Sequence, residues 1–431
     1  MSGVIVKVSG LAVVASDMPG AKMGDKVYLG TQRIVGELMH LTRDTVWILA
    51  YEDISTLKAG DMVECANTPL DAELGPGLLG GFYDGLGRSY PALYTQTGDM
   101  IPPGTEAQTL DHTKRWAFKP SVTVGTKVQA GDAIGTVQET EMLTHKILVP
   151  HGMSGTVAEV HSGERTVEET IVIVKASDGT NHKLSMTHPW PIRTLRLYKQ
   201  RHLPEVPIKT GIAELDQDFP LLRGSTGLFI GEDGIGQAAF KHLTANCAEI
   251  DVMVYAGCGI SGSESAALFE TYAKASTPKT VLLTSPPDGT AAQREAIVHR
   301  GLTIASYYRD IGLNAMLVID NLCAWLGAAG VTSGLMGQAA YEGGPPLNLS
   351  ARLAELFAPA GLVTCLGTEK RQGSITILGV LPSVEEPHPI LLPLIRLVRT
   401  VWVAEDGDFS KIDTSASFSR DVEAQGGKAD V

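Results

Sequence analysis

The sequence predicts a multidomain fold with an N-terminal antiparallel β-barrel, an inserted β-rich domain, and an α/β domain with a mainly parallel sheet. Three observations predict this order. Residues 4–70 contain short runs of alternating apolar residues separated by turn sequences. Residues 105–187 return to a β pattern after a glycine-rich stretch. From residue 204 onward, apolar strand-like runs alternate with helical stretches, as in a parallel sheet covered on both faces.

Composition and charge exclude several classes of protein. The chain has 431 residues, of which 44% are hydrophobic and 19% charged, so it has enough apolar residues for two or three globular domains. The net charge of −13 argues against general binding to nucleic acid or anionic membranes. Five cysteines, none of them in a C-x-x-C pair, favour a reducing compartment without a disulfide framework or zinc site.

The location follows from the absence of targeting signals in the sequence. No apolar run reaches the ~18–20 residues of a membrane span. The N-terminus alternates like a strand and does not resemble a signal peptide. We therefore expect a cytoplasmic protein with no direct membrane insertion.

The first two domains are assigned from the alternation of apolar residues and from a glycine-rich stretch between them. Residues 1–70 form the predicted barrel, because alternation recurs at 4–8, 27–29 and 46–50. Residues 71–195 contain the glycine-rich connector at 74–81 and the second β domain. Taken in isolation, this domain is similar to biotinyl or lipoyl carrier domains. Its hairpin tip at 139–142 has no lysine at the carrier position, which disfavours that function.

The α/β domain is predicted over 196–405, followed by a polar tail at 406–431 that we expect to fray. Its elements are predicted from the switch between short apolar runs and longer periodic stretches. The predicted strands are 228–230, 252–256, 281–283, 315–319, 362–366 and 374–379, and the predicted helices are 239–248, 264–275, 291–311 and 349–357.

One stretch of this domain nearly matches a phosphate-binding loop. Gly231 and Gly236 have the spacing of G-x-x-x-x-G-K-[ST] between a predicted strand and a predicted helix. The motif's lysine and hydroxyl residue are replaced by Gln237 and Ala238. With Gly234, these residues form a vestigial phosphate loop, which by itself is a weak signal.

Further segments occur in the order found in one family. They are Leu-Gly-Pro-Gly-Leu-Leu-Gly-Gly-Phe-Tyr-Asp-Gly at 74–85, the β phrases at 136–140 and 154–157, Trp-Pro-Ile-Arg at 190–193, Thr-Gly-Ile at 210–212, Tyr-Ala-Gly-Cys-Gly at 255–259, Arg-Glu-Ala at 294–296, Tyr-Arg-Asp-Ile-Gly at 308–312 and Ala-Arg-Leu-Ala-Glu at 351–355. Over roughly 3–420 the chain resembles the A subunit of V-type and A-type rotary ATPases. The inserted β domain distinguishes that subunit from related ring ATPases.

The resemblance implies a barrel, a bulging β insertion and a RecA-like P-loop-type core. It also implies a partner similar to the V-type B subunit, in an alternating hetero-hexamer or a homo-oligomer around a rotor. After 394–402, which resemble the last strand of the family's sheet, only the start of its C-terminal helical domain is recognisable. We therefore expect the C-terminal helical bundle to be absent.

The departures from the family pattern fall on positions that carry its chemistry. The loop lysine is Gln237 and the magnesium-binding hydroxyl position is Ala238. In the phrase resembling G-E-R-G-x-E, Ile260 replaces the catalytic glutamate and Ser261 the arginine. A further family arginine is Ala324.

Two other residues leave alternatives open. Asp320, which resembles the Walker B aspartate, is either a doubtful metal ligand or a structural acid at a strand end. Lys241, one helical turn beyond the loop, could reach back to a phosphate, although a solvated helix lysine is the simpler interpretation.

Other residues receive structural interpretations. His145, His188 and His202 lack metal-ligand spacing and are interpreted as surface or interface histidines. Arg294 and Glu295 are interpreted as members of an ion pair at a subunit interface.

Three functions remain open. The first is a catalytically inactive A-subunit homologue that forms a ring or scaffold, with no catalytic residue and no cofactor expected. The second is a functional subunit that binds and hydrolyses ATP with Mg and couples this to proton or sodium transport, peripheral to a membrane complex. The third is a binding module whose β insertion recognises another protein.

Overall fold

The computed structural model describes residues 2–273, 279–335, 348–382, 390–405 and 408–420. Six strands close the N-terminal barrel in the order β1-β2-β5-β4-β3-β6, with every pairing antiparallel. Its interior is filled by alternating apolar side chains such as Val13, Val27 and Ile48. The predicted barrel is confirmed. Its strands are β1 Ser2–Ser9, β2 Ala12–Ser16, β3 Asp25–Leu29, β4 Ile34–Leu41, β5 Thr45–Ala50 and β6 Met62–Pro69.

Short elements that the sequence did not predict lie on either side of the glycine-rich connector. They are β7 Asp71–Leu74, β8 Phe82–Tyr83 and α1 Tyr90–Thr97. A Cβ at Gly81 would lie 2.1 Å from the hydroxyl oxygen of Tyr83, so the close approach of this ring requires glycine there.

The inserted domain consists of two four-stranded sheets, β10-β13-β15-β16 and β12-β11-β9-β14. The strands are β9 Trp116–Pro120, β10 Lys127–Gln129, β11 Ala133–Gln138, β12 Thr144–Leu148, β13 Ser154–Val160, β14 Gly163–Arg165, β15 Val172–Lys175 and β16 Asn181–Leu184. After this insertion β17, His188–Pro191, pairs with β7 and returns the chain to the connector.

The α/β domain follows, with a central parallel sheet in the order β25-β19-β24-β22-β20-β21-β8. Its strands are β18 Gln200–His202, β19 Thr226–Gly231, β20 Val252–Cys258, β21 Thr280–Ser285, β22 Asn314–Asp320, β23 Gly361–Thr364, β24 Gln372–Pro382, β25 Thr400–Glu405, β26 Asp408–Ile412 and β27 Phe418–Ser419. Its helices are α2 Ala213–Gln217, α3 Ile235–Asn246, α4 Gly262–Ala273, α5 Ala291–Asp310, α6 Leu322–Leu335, α7 Leu349–Phe357 and α8 Leu391–Leu397.

The predicted α/β order is confirmed. The six predicted strands overlap β19, β20, β21, β22, β23 and β24, and the four predicted helices overlap α3, α4, α5 and α7. The central strands are buried along their whole length, because helices cover both faces of the sheet.

The polar tail differs from the expectation over 408–420. β26 and β27 both pair with β25, so this part of the tail extends the sheet. The ring centroid of Phe409 lies 5.1 Å from that of Phe229 on β19, and this contact buries a residue of the predicted tail. Residues 421–431 lie outside the described residues. Among the described residues, none after β25 belongs to a helical bundle, and none of the described helices has the length and apolar character needed to span a membrane.

A buried ion-pair network joins the barrel to α5. Arg193 donates to Glu37 on β4 at 2.9 Å and to both carboxylate oxygens of Glu295 on α5 at 3.2 and 3.1 Å. Burial opposes ionisation of Glu295, but Arg193 and then His299 hold its pKa well below its ordinary value. The interpretation of Glu295 as half of an ion pair between subunits is therefore wrong. Its main partner is within the chain.

The predicted hairpin tip at 139–142 is exposed at Glu141 and Met142, but its first residue, Glu139, packs with His145 against the same helix. His145, fully buried, lies between Glu139 and Tyr307, with its Nδ1 and Nε2 each 2.6 Å from their oxygens. Glu139 also accepts from the backbone N–H of Gly77 at 2.7 Å. His145 was interpreted as a surface or interface histidine; the surface alternative is wrong, because the residue is fully buried at the interface between the insertion and the α/β domain.

Candidate functional site

The near-match to a phosphate loop connects β19, a central strand of the sheet, to α3. Gly234 is the N-cap of α3 and has φ of 84°, a left-handed conformation that favours glycine. Ile235 is buried in the core and anchors the first turn of the helix. The predicted strand–loop–helix arrangement is therefore present, with the N-terminus of α3 at the end of the loop.

Gly236 lies against the strand-end aspartate. A Cβ at this position would be 2.3 Å from Cγ of Asp320, the last residue of β22. Only glycine therefore allows the carboxylate to pack this close to the backbone of α3. The structure brings these two predicted site residues together.

Asp320 is buried without a cationic partner among the described residues that line the site. Its Oδ2 accepts a hydrogen bond from the hydroxyl of Tyr255 at 2.6 Å. The pKa of Asp320 is raised to about 6, mainly by burial; the Tyr255 hydrogen bond opposes this change, and the negative charges of Glu264 and Asp233 add to it. Near neutral pH, part of the protein population therefore carries a protonated Asp320.

Gln237 contacts a carboxylate that the sequence analysis did not assign to the site. Its Nε2 donates to Oε1 of Glu264 at 3.1 Å. The other oxygen of Glu264 accepts from the backbone N–H of Ser261 at 2.9 Å and from its hydroxyl at 2.6 Å. The hydroxyl bond is the main cause of the lowered pKa of Glu264. Two replaced positions, Gln237 and Ser261, thus share one carboxylate.

Ser261 and Glu264 form a capping box at the start of α4. The Ser261 hydroxyl accepts from the backbone N–H of Glu264 at 3.3 Å, and the Glu264 carboxylate accepts from the N–H of Ser261. The S-x-x-E spacing of this motif is visible in the sequence and would have identified Glu264 as a neighbour of the loop. The serine therefore has a structural role at a position where the family resemblance implies an arginine.

The other replaced positions are apolar or lack functional atoms. Ile260 is buried beside Gly257, and its backbone N–H donates to the carbonyl of Ser285 at 3.1 Å. Ala324 donates its backbone N–H to the side chain of Asn321 at 2.8 Å in the first turn of α6. Ala238 is exposed on α3. None of these three side chains has a group that binds a phosphate or a metal.

A cleft of about 250 Å³, here called the loop cleft, lies above these residues. Four carboxylates line it, while no lysine or arginine is among its described lining residues: the acids are Glu232, Asp233, Glu264 and Asp320. Lys241 is exposed on α3 and does not line the cleft. Within the described parts of the chain, no group of three His, Cys, Asp or Glu residues is arranged to hold a metal ion. A role of Asp320 in metal binding stays a prediction.

Comparison with known proteins agrees with this domain order. Residues 5–67 match the beta-barrel domain of the ATP synthase alpha/beta family, 107–193 the barrel-sandwich domain of its alpha and beta chains, and 211–405 the nucleotide-binding domain of the same family. The chain is 37% identical over 413 residues to the V-type ATP synthase alpha chain of Thermoanaerobacter sp. (strain X514), which covers 94% of this chain and 70% of that relative. The chain belongs to the A-subunit family of V/A-type ATP synthases.

Two other members of this family show a comparable similarity. The A subunit of the A-type ATP synthase of Thermococcus kodakarensis is 38% identical over 420 residues, covering 95% of this chain and 72% of the relative. That of Methanopyrus kandleri is 36% identical over 435 residues, covering 97% and 74%. The matches therefore extend across all three domains of this A-subunit homologue.

Proposed function

We propose that this A-subunit homologue is a ring-forming or scaffold component of a V-type-ATPase-like complex that does not itself hydrolyse ATP. The acidic lining of the loop cleft carries this proposal. ATP presents several negative charges to a phosphate loop, and phosphoryl transfer requires groups that neutralise them. In the loop cleft, the charged side chains among the described residues are all carboxylates.

Repulsion between the cleft carboxylates and the phosphates of ATP decides how tightly ATP can bind. One carboxylate about 4 Å from a phosphate charge opposes binding by about 4 kcal/mol at an effective dielectric constant of about 20. Glu232 and Asp233 are exposed, so solvent weakens their share. Asp320 and Glu264 lie deeper, and the Gln237 amide that could have donated to a phosphate already donates to Glu264. We accordingly expect no bound ATP or Mg under cellular conditions.

The partner is inferred from the family. Relatives of this chain are named as subunits of V-type and A-type ATP synthases. A B-like subunit that alternates with this chain in a hetero-hexamer is therefore the expected partner, with a homo-oligomer as the alternative. The complex would be cytoplasmic, or peripheral to a membrane assembly.

A second candidate is a functional, ATP-binding A subunit. Two observations favour it: the loop keeps its glycines and the N-terminus of α3, and Asp320 keeps its place at the end of β22. The names of the relatives also favour it. This function would require a neighbouring subunit to supply the missing cations, and it would couple ATP to proton or sodium transport.

Calorimetry with Mg-ATP on the full chain, alone and with its B-like partner, separates the two functions. The proposal predicts no binding up to millimolar ATP and no hydrolysis dependent on Asp320. Binding that requires magnesium, or hydrolysis that Asp320→Ala abolishes, would overturn it. The double variant Gln237→Lys with Ala238→Thr should acquire weak ATP binding, whereas Ala245→Lys, which adds the same charge to an exposed position on α3, should not.

A further inference from the structure

A second cavity lies where the inserted β domain meets the α/β domain. This junction cavity has a volume of about 270 Å³, and its lining includes His151, His188, Arg196, Asp310 and Arg371. His151 belongs to the insertion, His188 begins β17, and Asp310 ends α5. The cavity is therefore bounded by three separate parts of the chain.

Three residues of this lining each have a buried nitrogen atom without a hydrogen-bond partner among the described residues. These atoms are Nδ1 of His151, Nε2 of His188 and Nη1 of Arg196. Burying a polar group without a partner is unfavourable, and native proteins rarely leave such groups unsatisfied. Three of them around one cavity indicate that a polar ligand completes the site.

The Arg196 guanidinium is held in a fixed position. The residue is only 5% exposed, and its Nε donates to Oδ2 of Asp310 at 2.7 Å. Its guanidinium carbon also lies 4.6 Å from the ring centroid of Trp190. With Nε paired and the planar group resting on an indole, Nη1 is left as a preorganised donor.

The charges around the cavity are mainly positive, although the chain as a whole has a net charge of −13. Arg196, Arg371 and Lys183 line it, against the single lining carboxylate of Asp310 and that of Glu369, which lies 3.4 Å from Arg371 outside the lining. Arg309 also donates to the Asp310 carboxylate, at 2.6 Å, so Asp310 does not neutralise the lining. Burial, and then the charges of Arg196 and His151, lower the pKa of His188 to about 3, as expected of a histidine in positive surroundings.

We propose that the junction cavity binds a small oxyanion of the phosphate class through Nη1 of Arg196 and the ring nitrogens of His151 and His188. An oxyanion has several acceptor oxygens and the charge that this lining attracts. The volume equals that of about nine water molecules, so a phosphate with part of its hydration shell fits. Because the ligand contacts the insertion, β17 and the segment entering the α/β domain, it stabilises their docking.

Isothermal titration calorimetry on the full chain tests this site. The probes are inorganic phosphate, sulfate and malonate at constant ionic strength, with chloride as the reference anion. The expected result is binding of at least one probe, quenching of Trp190 emission that is lost in Trp190→Phe, and an increase in melting temperature. The probe that binds with the highest affinity shows whether the site prefers a tetrahedral anion or a carboxylate.

Variants assign the binding to this cavity. His188→Ala and Arg196→Lys should each weaken binding by about tenfold or more, the usual loss for a hydrogen bond to a charged group. His161→Ala should bind as the parent protein does, because this histidine of the same domain is half-buried and does not line the cavity. Gln237→Glu, which adds a negative charge to the loop cleft, should also leave binding unchanged.

Two results would overturn the proposal. One is no heat and no quenching with any of the three anions. The other is binding that His188→Ala leaves intact, since this variant removes one of the three nitrogens without breaking the Arg196–Asp310 pair. If Arg196→Lys fails to fold, as circular dichroism would show, the His188→Ala result decides.

Discussion

The Gln237 side chain donates a hydrogen bond to the Glu264 carboxylate at 3.1 Å, and this contact joins the phosphate-type loop to α4. The position that resembles the family's phosphate-binding lysine is thus occupied by a neutral donor that already has a protein acceptor. Beneath it, Asp320 packs on Gly236, with its pKa raised to about 6 by burial. Gly236 therefore has a packing role that is independent of any nucleotide.

The packing of Asp320 on Gly236 predicts the effect of adding a methyl group. Gly236→Ala should destabilise the protein by about 1–3 kcal/mol, because the new Cβ would overlap the carboxylate. Gly327→Ala on α6 is the matched control, since nothing lies within 4 Å of its added Cβ, and it should be neutral or stabilise by up to about 1 kcal/mol. Chemical denaturation measures both. Equal effects of the two changes would show that Asp320 does not restrict the site.

Asp320 predicts a pH dependence with a defined sign. Its pKa of about 6 in the folded chain lies above the ordinary value of 3.8, so the folded state favours the protonated acid. The stabilisation from this protonation is complete below about pH 4 and is lost as the pH rises through about 6. As the pH rises from 4 to 8, the free energy of unfolding of Asp320→Asn should therefore increase by up to about 3 kcal/mol relative to that of the parent protein.

Urea unfolding of Asp320→Asn and the parent protein across this pH range measures the difference. Asp53→Asn is the control, because hydrogen bonds from Ser55 lower the pKa of this exposed acid. Its stability relative to the parent protein should therefore change with pH in the opposite direction. A stability difference between Asp320→Asn and the parent protein that is independent of pH would contradict the raised pKa.

The capping box at the start of α4 predicts unequal effects for two neighbouring serines. Ser261→Ala removes the hydroxyl that caps the helix and bonds Glu264, and it should cost about 1 kcal/mol. Ser263→Ala removes an exposed hydroxyl that lies 3.1 Å from the Ser261 hydroxyl but makes no capping bond, and it should change the stability by less than about 0.5 kcal/mol. Thermal unfolding of the two variants is the measurement. If both were neutral, the capping assignment would be wrong.

The Arg193 network predicts that replacing this arginine lowers the free energy of unfolding substantially, because it joins the barrel to α5. Arg193→Met leaves Glu37 and Glu295, which are 2% and 4% exposed, without their main cation. The expected loss is about 3–5 kcal/mol. Arg352, 3.6 Å from Glu295, favours the lower end of this range.

The control for this junction is Arg33→Met, because Arg33 pairs with Glu64 on the exposed surface of the barrel. That pair should contribute little to stability, because solvent screens both charges. Denaturation of the two methionine variants compares a buried network with a solvated ion pair of the same residue types. A similar loss in both would argue against the buried network.

The pattern of the sequence predicted those parts of the fold that depend on local periodicity. The helix at 349–357 has the predicted bounds, and α3 begins four residues before the predicted 239 because Gly234 can adopt the left-handed N-cap conformation. β8 was missed because two apolar residues carry no periodic signal, and the pairing of Phe409 with the sheet was missed because the surrounding tail is polar.

Residue identity also predicted which positions of the loop and of two later segments differ from the family pattern. Gln237, Ala238, Ile260, Ser261 and Ala324 can be identified from spacing and resemblance alone, because residue identity decides which atoms are present. What the replacements do depends on distances between segments far apart in the chain. The contacts of Gln237 with Glu264 and of Asp320 with Gly236 arise only when the carboxyl ends of β19 and β22 and the start of α4 come together in the folded domain.

Residue identity and periodicity thus predicted the domain order and the family of this chain, and residue identity places Gln237 where the loop motif has a lysine. The sequence already showed Glu232 and Asp233 in the loop, but only the tertiary structure decided that Glu264 and Asp320 line the same cleft. Only the tertiary structure also decided that Glu295 pairs with Arg193 inside the chain, and that His151, His188 and Arg196 surround one cavity. The physical reason is that local patterns record the period of a helix or strand. Charge, burial and unpaired donors are instead properties of the space between segments, and folding brings together residues as distant as His151 and Asp310.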